Sequence, residues 1–497
     1  MTGLACVALV SCGGGGDKEP LVMFCAAGMK KPVTEIAKQY EEEYGVEVQL
    51  QFGGSGTLLA SIDAANTGDI YLAADSSYTN IGKSKGQIAE TMLVGYMRAG
   101  YGVPSGNPKN LGALADIKRE DVKIGIGNPD AASVGKFTKK VLSKHDIWEG
   151  FNPAVTFPTV NELANAIKLN TIDGAILWDA IANQYPEVDF VNIAEFDAEK
   201  KDVTIAVLTS SDQPTEALRF CRYLTAKDKG LTQFEADGYE VIEGDAWDEK
   251  PELLLFSGAM LRPAIEETID KFEEREGVVI TPVYNGCGIL VSQMRAGEKP
   301  DAYFSCDIEF MEMVQDQFEE STVVSGNEMV ILVDKGNPKK ILQLQDLTTP
   351  GIKLGLSHPD KSALGFLTKN MLAYENLYQP IIDSGNLKLD SPTGDFLVNQ
   401  LKAGSLDAVI VYKSNAMAIS ATLEDFDMIE INKPKAFAAQ PYAVGKNSVH
   451  QHLLNRFLDR VFANRIRLSR EGLRFIDLDH VEVLQRRRNR HRVAFVD

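Results

Sequence analysis

The residues with the most chemical potential form a glycine loop, Phe52-Gly53-Gly54-Ser55-Gly56-Thr57-Leu58-Leu59, set between a strand-like and a helical stretch. Glycines let successive backbone N–H groups turn toward one point, and a helix start adds partial positive charge there. Ser55 contributes a hydroxyl donor. A loop of this kind can hold a small anion with no cationic side chain. It is not a nucleotide loop, because the required Gly-Lys-Ser/Thr is missing. Four other places have a similar character: Ala26-Ala27-Gly28-Met29, Asp130-Ala131-Ala132-Ser133-Val134-Gly135, Thr159-Val160-Asn161 and Trp178-Asp179. Taken singly, each reads as a helix cap, a tight turn or a core aromatic.

They do not occur singly. All five recur in the same order, as Ser257-Gly258-Ala259-Met260, Gly286-Cys287-Gly288, Asp360-Lys361-Ser362-Ala363-Leu364-Gly365, Thr393-Gly394-Asp395 and Tyr412-Lys413. Pro32 and Pro263 set a period of about 231 residues, and the other pairs keep it within a few residues. That period is far too long for a solenoid repeat. Each copy is long enough to bury its own core, so the chain is a tandem duplication of a whole globular module. A feature kept in order through both copies is weak as a local turn and stronger as part of a cleft.

The elements that must position these residues alternate. Residues 21–26 read as a short apolar strand, and Pro32 opens a helix carrying Val33, Ile36, Ala37 and Tyr40 on one face. Residues 46–52 alternate at strand period, 57–65 read as a helix, and 70–73 as a third strand. Strand, helix, strand in this order means a parallel sheet covered by helices. A second α/β block follows from about residue 94, with a strand at 122–127, a helix at 134–142 and a strand at 175–178. The strand 203–208 and the helix 214–224 return to the first block. In open parallel sheets ligands sit at the carboxyl ends of the strands, where the five motifs lie.

Composition narrows the function classes. The chain has 497 residues, 44% hydrophobic, with a net charge of −19. That charge argues against nucleic acid, which needs clustered Lys and Arg. The six histidines form no HExxH, and no Ser/His/Asp order recurs in both copies. No catalytic residue, metal-ligand set or cofactor is assigned. Asp75 and Asp307 match across the copies at strand ends, which fits a hinge or hydrogen-bonding role better than catalysis. Cys25 and Cys221 fall on apolar faces, and the spacing of Cys287 and Cys306 leaves a disulfide open.

The first nineteen residues differ from the rest. A short apolar run leads to Leu9-Val10-Ser11-Cys12, then four glycines. This resembles a bacterial lipoprotein signal, and by that resemblance Cys12 is lipidated and holds the protein in the cell envelope. No Lys or Arg precedes the run, which departs from the pattern.

Both copies resemble the molybdate-binding family of periplasmic substrate-binding proteins, the receptors of ABC importers. The motifs that carry the likeness are Ala-Ala-Gly-Met-x-x-Pro from Ala26, Gly-Gly-Ser-Gly-Thr-Leu from Gly53, Asp-Ile-Tyr-Leu-Ala-Ala-Asp from Asp69, Asn-Pro-Asp from Asn128 and Ile-Leu-Trp from Ile176. The resemblance implies an α/β fold of two tandem bilobed type II modules, each with two lobes and a hinge. It implies a leader and tether at 1–19, a first module at 20–247 (lobes 20–93 with 203–247, and 94–202), a second at 251–465 and an atypical basic tail at 466–497. In that family a tetrahedral oxyanion is held by two serines, two backbone amides and a tyrosine hydroxyl. The matching positions are Gly28, Ser55, Val134, Val160 and Trp178 in the first copy, and Ala259, Cys287, Leu364, Gly394 and Tyr412 in the second. The departures are at Gly28 and Ala259, where the family has serine, at Cys287, and at Trp178. The implied function is capture of a small oxyanion such as molybdate or tungstate for an ABC permease, at the periplasmic face, with a ligand-sensing or scaffold lipoprotein as the alternative.

Overall fold

The computed structural model describes residues 19–463 apart from 198, 420–423 and 434. Cys12, the glycine tether and the basic tail lie outside the described residues. Among the described residues no helix is long and apolar enough to cross a membrane. The chain divides into two compact units, Met1–Trp247 and Asp248–Asp497.

The first unit carries two sheets. The larger has the order Glu240–Val241, Ile88–Met97, Lys201–Leu208, Ile70–Ala73, Leu21–Ala26, Val48–Gly53. Its last three strands are parallel, and Lys201–Leu208 runs antiparallel between Ile70–Ala73 and Ile88–Met97. The smaller sheet orders Val155–Phe157, Ile124–Gly127, Gly174–Trp178, Ala99–Pro104 and Val188–Asn192. These are the two lobes, each a sheet with helices packed on it.

The chain leaves the first lobe at Arg98, not near residue 94. Met92, Val94 and Met97 are buried, and Ile88–Met97 stays paired with Lys201–Leu208 along its length. On its other side Gly95 admits Glu240–Val241, because a Cβ there would meet the Glu240 carbonyl oxygen at 2.4 Å. Arg98 alone separates this strand from Ala99–Pro104 of the second lobe.

Helix starts and ends follow from local sequence. Lys30–Tyr44 buries Pro32, Val33, Ile36, Ala37 and Tyr40, and ends at Gly45 with φ of 65°. A left-handed residue at that position closes a helix at little steric expense when it is glycine. In the second unit, Arg262–Glu276 ends the same way at Gly277, φ 66°.

The second unit repeats the plan with one change. Its strands run Val279–Asn285, Glu252–Gly258, Ala302–Phe304, Phe437–Val444, Thr322–Asp334, Ala408–Tyr412, Leu354–Ser357 and Leu387–Ser391, with Phe426–Glu430 beside Thr322–Asp334. Thr322–Asp334 is a single 13-residue strand. Its first half pairs with Phe437–Val444 in one lobe, and its second half with Ala408–Tyr412 in the other. Where the first unit breaks its strand at Arg98, the second runs straight through.

Candidate ligand cleft

In the first unit, Gly28, Ser55, Val134, Val160 and Trp178 all line one cavity between the lobes. Its walls also include Ala74, Met97, Ser133 and Thr159, and it holds about 310 Å³ of atom-free space, its open mouth included. None of the lining side chains carries a charge, so an anion held there would depend on hydroxyl and backbone donors.

Those donors come from helix starts. The helix Ser55–Ala65 begins after Gly54 and Ser133–Lys144 after Ala132, and neither first turn is capped by a side chain. Uncapped N-terminal amides carry partial positive charge and seek an acceptor. The helix Val160–Lys168 differs. Thr159 and Glu162 form a reciprocal capping box, with Thr159 Oγ1 donating to Glu162 Oε2 at 2.7 Å. That engagement takes the threonine hydroxyl out of ligand chemistry.

Ser55 is fully buried. Its Oγ accepts from the Ala74 N–H at 3.2 Å, and its carbonyl accepts from Tyr71 Oη at 2.8 Å. With the oxygen so held, the hydroxyl hydrogen is the part left for a ligand. A Cβ at Gly28 would lie 2.8 Å from Ile181 Cδ1. Ile181 has taken that space. Trp178 is buried and stacks on Phe137 with ring centroids 5.8 Å apart. Asp179, which would repel a dianion if it faced the cavity, turns to the hinge instead. Its Oδ1 accepts from the Arg98 N–H at 3.1 Å, and burial raises its pKa.

The loop glycines have a role that the sequence did not reveal. The Gly56 N–H donates to the Ala131 carbonyl across the cleft at 2.9 Å. A Cβ on Gly54 would lie 2.4 Å from Ala131 O, and one on Gly56 2.6 Å from Asp130 O. The two lobes touch backbone to backbone at these positions. The second unit does the same: Gly286 faces the Lys361 carbonyl at 2.4 Å and Gly288 the Asp360 carbonyl at 2.5 Å, both measured from an added Cβ.

The matching positions of the second unit have different chemistry. Cys287 opens the helix Cys287–Arg295 after an uncapped Gly286, and its Sγ accepts from the Cys306 N–H at 3.2 Å. Ala259 follows Gly258, beside both sulfurs. Leu364 Cδ2 comes within 3.2 Å of where a Gly394 Cβ would stand, and Asn415 Oδ1 within 2.5 Å. Tyr412 is buried with no hydrogen-bond partner for its hydroxyl among the described residues. Burial, and then Cys306, Asp307 and Cys287 nearby, push its phenol well above the ordinary range. The four cysteines of the described residues form no disulfide with one another.

Asp75 and Asp307 cap helices, accepting from Ser77 N–H at 2.7 Å and Glu309 N–H at 3.1 Å. Reading by motif passed over Ser133, which is buried at the first helical position and lines the cavity. Its signal was present: serine at an uncapped helix start, replaced by Ala363 in the other copy.

The family described as bacterial extracellular solute-binding protein matches this chain twice, over 21–240 and 253–466, and the chain belongs to that family as a tandem duplicate. The molybdate-binding protein ModA of Mycobacterium bovis is 24% identical over 217 residues, 41% of this chain and 79% of the relative. Among solved structures, the Azotobacter vinelandii periplasmic molybdate-binding protein aligns at 13% identity and TM-score 0.40, covering 45% of this chain and all of that one. The sulfate-binding protein SubI of Mycobacterium tuberculosis aligns at 19% identity and TM-score 0.41, covering 46% of this chain and 88% of its own.

Proposed function

We propose that the protein is the extracytoplasmic receptor of an ABC importer and that its first cleft captures a small tetrahedral oxyanion of the molybdate or tungstate type. One observation carries this reading. Two uncapped helix starts and the Ser55 hydroxyl meet at a cavity with no charged wall. Neutral, preorganised donors suit a fully ionised oxyanion and leave no cation to attract other acids. The molybdate-binding relative supports the ligand class. Gly28, Ser55, Val134, Val160 and Trp178 are the proposed contacts, Val134 and Val160 through backbone N–H. Cys287, Leu364, Gly394 and Tyr412 are the counterparts of the last four, while in strand and helix register Ala259 matches Ala27 and Met260 matches Gly28. Capture needs no bond-making. A solute that meets donors from both lobes stabilises the closed arrangement, and the permease receives it from there. Lipidation at Cys12 would keep the receptor at the membrane.

Titration calorimetry of residues 20–497 against molybdate, tungstate, sulfate and phosphate tests the reading. Saturable heat with molybdate or tungstate at micromolar concentration, lost in Ser55→Ala, supports it. Folded protein giving no heat with any of the four anions rejects the ligand class.

A further inference from the structure

Three positions change together between the two clefts. Ala26, Ser55 and Ala74 of the first unit correspond to Gly258, Cys287 and Cys306 of the second. The backbone hydrogen bond is kept: Ala74 N–H to Ser55 Oγ at 3.2 Å becomes Cys306 N–H to Cys287 Sγ at 3.2 Å. What changes is the pair of sulfurs. A Cβ at Gly258 would lie 1.9 Å from Cys306 Sγ and 3.1 Å from Cys287 Sγ, so an alanine like Ala26 could not stand there. The glycine makes the room in which the two thiols meet.

We propose that Cys287 and Cys306 form a reversible disulfide at the ligand end of the second cleft, made and broken by thiol–disulfide exchange. This stands on the thiol geometry and not on the oxyanion assignment. Cys287 is the attacking thiol. It sits at the first position of an uncapped nine-residue helix and accepts the Cys306 N–H. Burial pushes its thiol up, but hydrogen bonds from the Cys306 thiol and N–H outweigh this and hold it below its ordinary value. The bond to Cys287, and then burial, hold the Cys306 thiol well above its own. Such an asymmetric pair has a nucleophile and a resolving partner.

The chemistry balances with a small-molecule disulfide as oxidant. The Cys287 thiolate attacks one sulfur of the oxidant, breaking its S–S bond and releasing one thiol. The Cys306 thiol then loses its proton, attacks Cys287 Sγ in the mixed disulfide and expels the second thiol. The protein gives up two electrons and two protons, which the oxidant leaves with as two thiols. Both cysteines are buried in the closed cleft. The Gly286 and Gly288 contacts to the opposite lobe close over this end, so exchange proceeds when the lobes part. The result would remove the only side-chain hydrogen the second unit offers at the Ser55 position.

The test uses the full chain, incubated folded with oxidised glutathione, then denatured, alkylated and digested with trypsin. Arg295 lies between the two cysteines, so they fall in separate peptides, 276–295 and 296–335. The expected result is a linked pair, two hydrogens lighter than the sum, separated again by reductant, while Cys25 and Cys221 stay alkylatable. In Cys306→Ala, glutathione should remain on Cys287 as a mixed disulfide. Gly258→Ala should slow linkage at least tenfold. Unlinked peptides after oxidant, or no glutathione on Cys287 in Cys306→Ala, overturn the proposal.

Discussion

The two clefts share a backbone and differ in what hangs from it. In both, a buried heteroatom at a helix start accepts one N–H at 3.2 Å, from Ala74 in the first unit and Cys306 in the second. In both, glycine pairs let the lobes touch. The side chains diverge from there. Ser55 faces Trp178 across the first cavity, whereas Cys287 shares its space with Cys306 and a buried Tyr412. At the hinge the charges exchange places: Arg98 and Asp179 in the first unit match Glu328 and Lys413 in the second, the latter pair 3.6 Å apart. The lesson is that a duplicated receptor keeps its amide frame, because many backbone bonds fix it. Single side chains near the cleft are free to change.

The core shows a similar divergence and offers the largest test of the comparison. Arg219 stacks on Tyr44 at 4.5 Å, while its counterpart Arg456 pairs with buried Glu276, Nη2 to Oε2 at 2.8 Å. Breaking a buried ion pair on one side costs about 3–5 kcal/mol, while a cation–π contact is worth about 0.5–2 kcal/mol. Arg456→Met should therefore lower the melting transition of the second unit by far more than Arg219→Met lowers that of the first. Calorimetric scans of the two variants giving equal shifts would break the contrast.

Side-chain exchange at the ligand comes next. Ser55→Ala removes a hydroxyl donor to a bound anion, worth about 1.5–3 kcal/mol, or roughly ten- to a hundredfold in affinity. Cys287→Ser should restore a hydroxyl to the second cleft and raise its oxyanion affinity, read as added stoichiometry in calorimetry. If Cys287→Ser adds no second binding event, the two clefts differ by more than this atom.

Lobe contact gives a smaller effect. Gly54→Ala puts a methyl 2.4 Å from Ala131 O, and Gly286→Ala one 2.4 Å from Lys361 O. Steric overlap of this kind costs about 1–3 kcal/mol, charged here to the closed state alone. Ligand affinity should fall while the melting temperature of the ligand-free protein holds. A fall in melting temperature with unchanged affinity would place these glycines in the fold and not in closure.

The smallest effect concerns pH. Burial raises the carboxyl pKa of Asp179 in the first unit and of Asp395 in the second. A carboxyl raised in the folded state binds its proton more tightly there than when unfolded. Its charge therefore opposes folding increasingly as pH rises from the ordinary aspartate value through the raised one. Asp179→Asn and Asp395→Asn should be neutral or slightly stabilising at pH 7, and the gain should vanish at acid pH. Denaturation midpoints of each variant against the parent between pH 4 and 7 measure this, and a gain that grows toward acid pH would contradict the sign.

Much of this was legible in the chain because the same text occurs twice. The strand Leu21–Ala26 and the helix Pro214–Leu224 stand where apolar period and Pro position put them. The order of motifs predicted one crevice lined by helix starts, since these follow strand ends in a parallel sheet, and the family resemblance named Gly28, Ser55, Val134, Val160 and Trp178 within it. Other features stayed hidden because they are distances between segments remote in sequence. Glycine at 54 reads as a turn in one dimension, and only the Ala131 carbonyl lying against it shows that the missing Cβ admits the opposite lobe. The crossing at Arg98 depends on pairing with Lys201–Leu208, more than a hundred residues on.

The sequence by itself determined the duplication, the α/β layering and the neutral, helix-start character of the cleft, because periodicity and glycine placement are local properties of the chain. Tertiary structure alone decided that Asp179 turns to the hinge, that Ile181 fills the space beside Gly28, and that Cys287 meets Cys306. Direction and contact depend on which surfaces pack together, and packing is settled only when the whole module closes on its core.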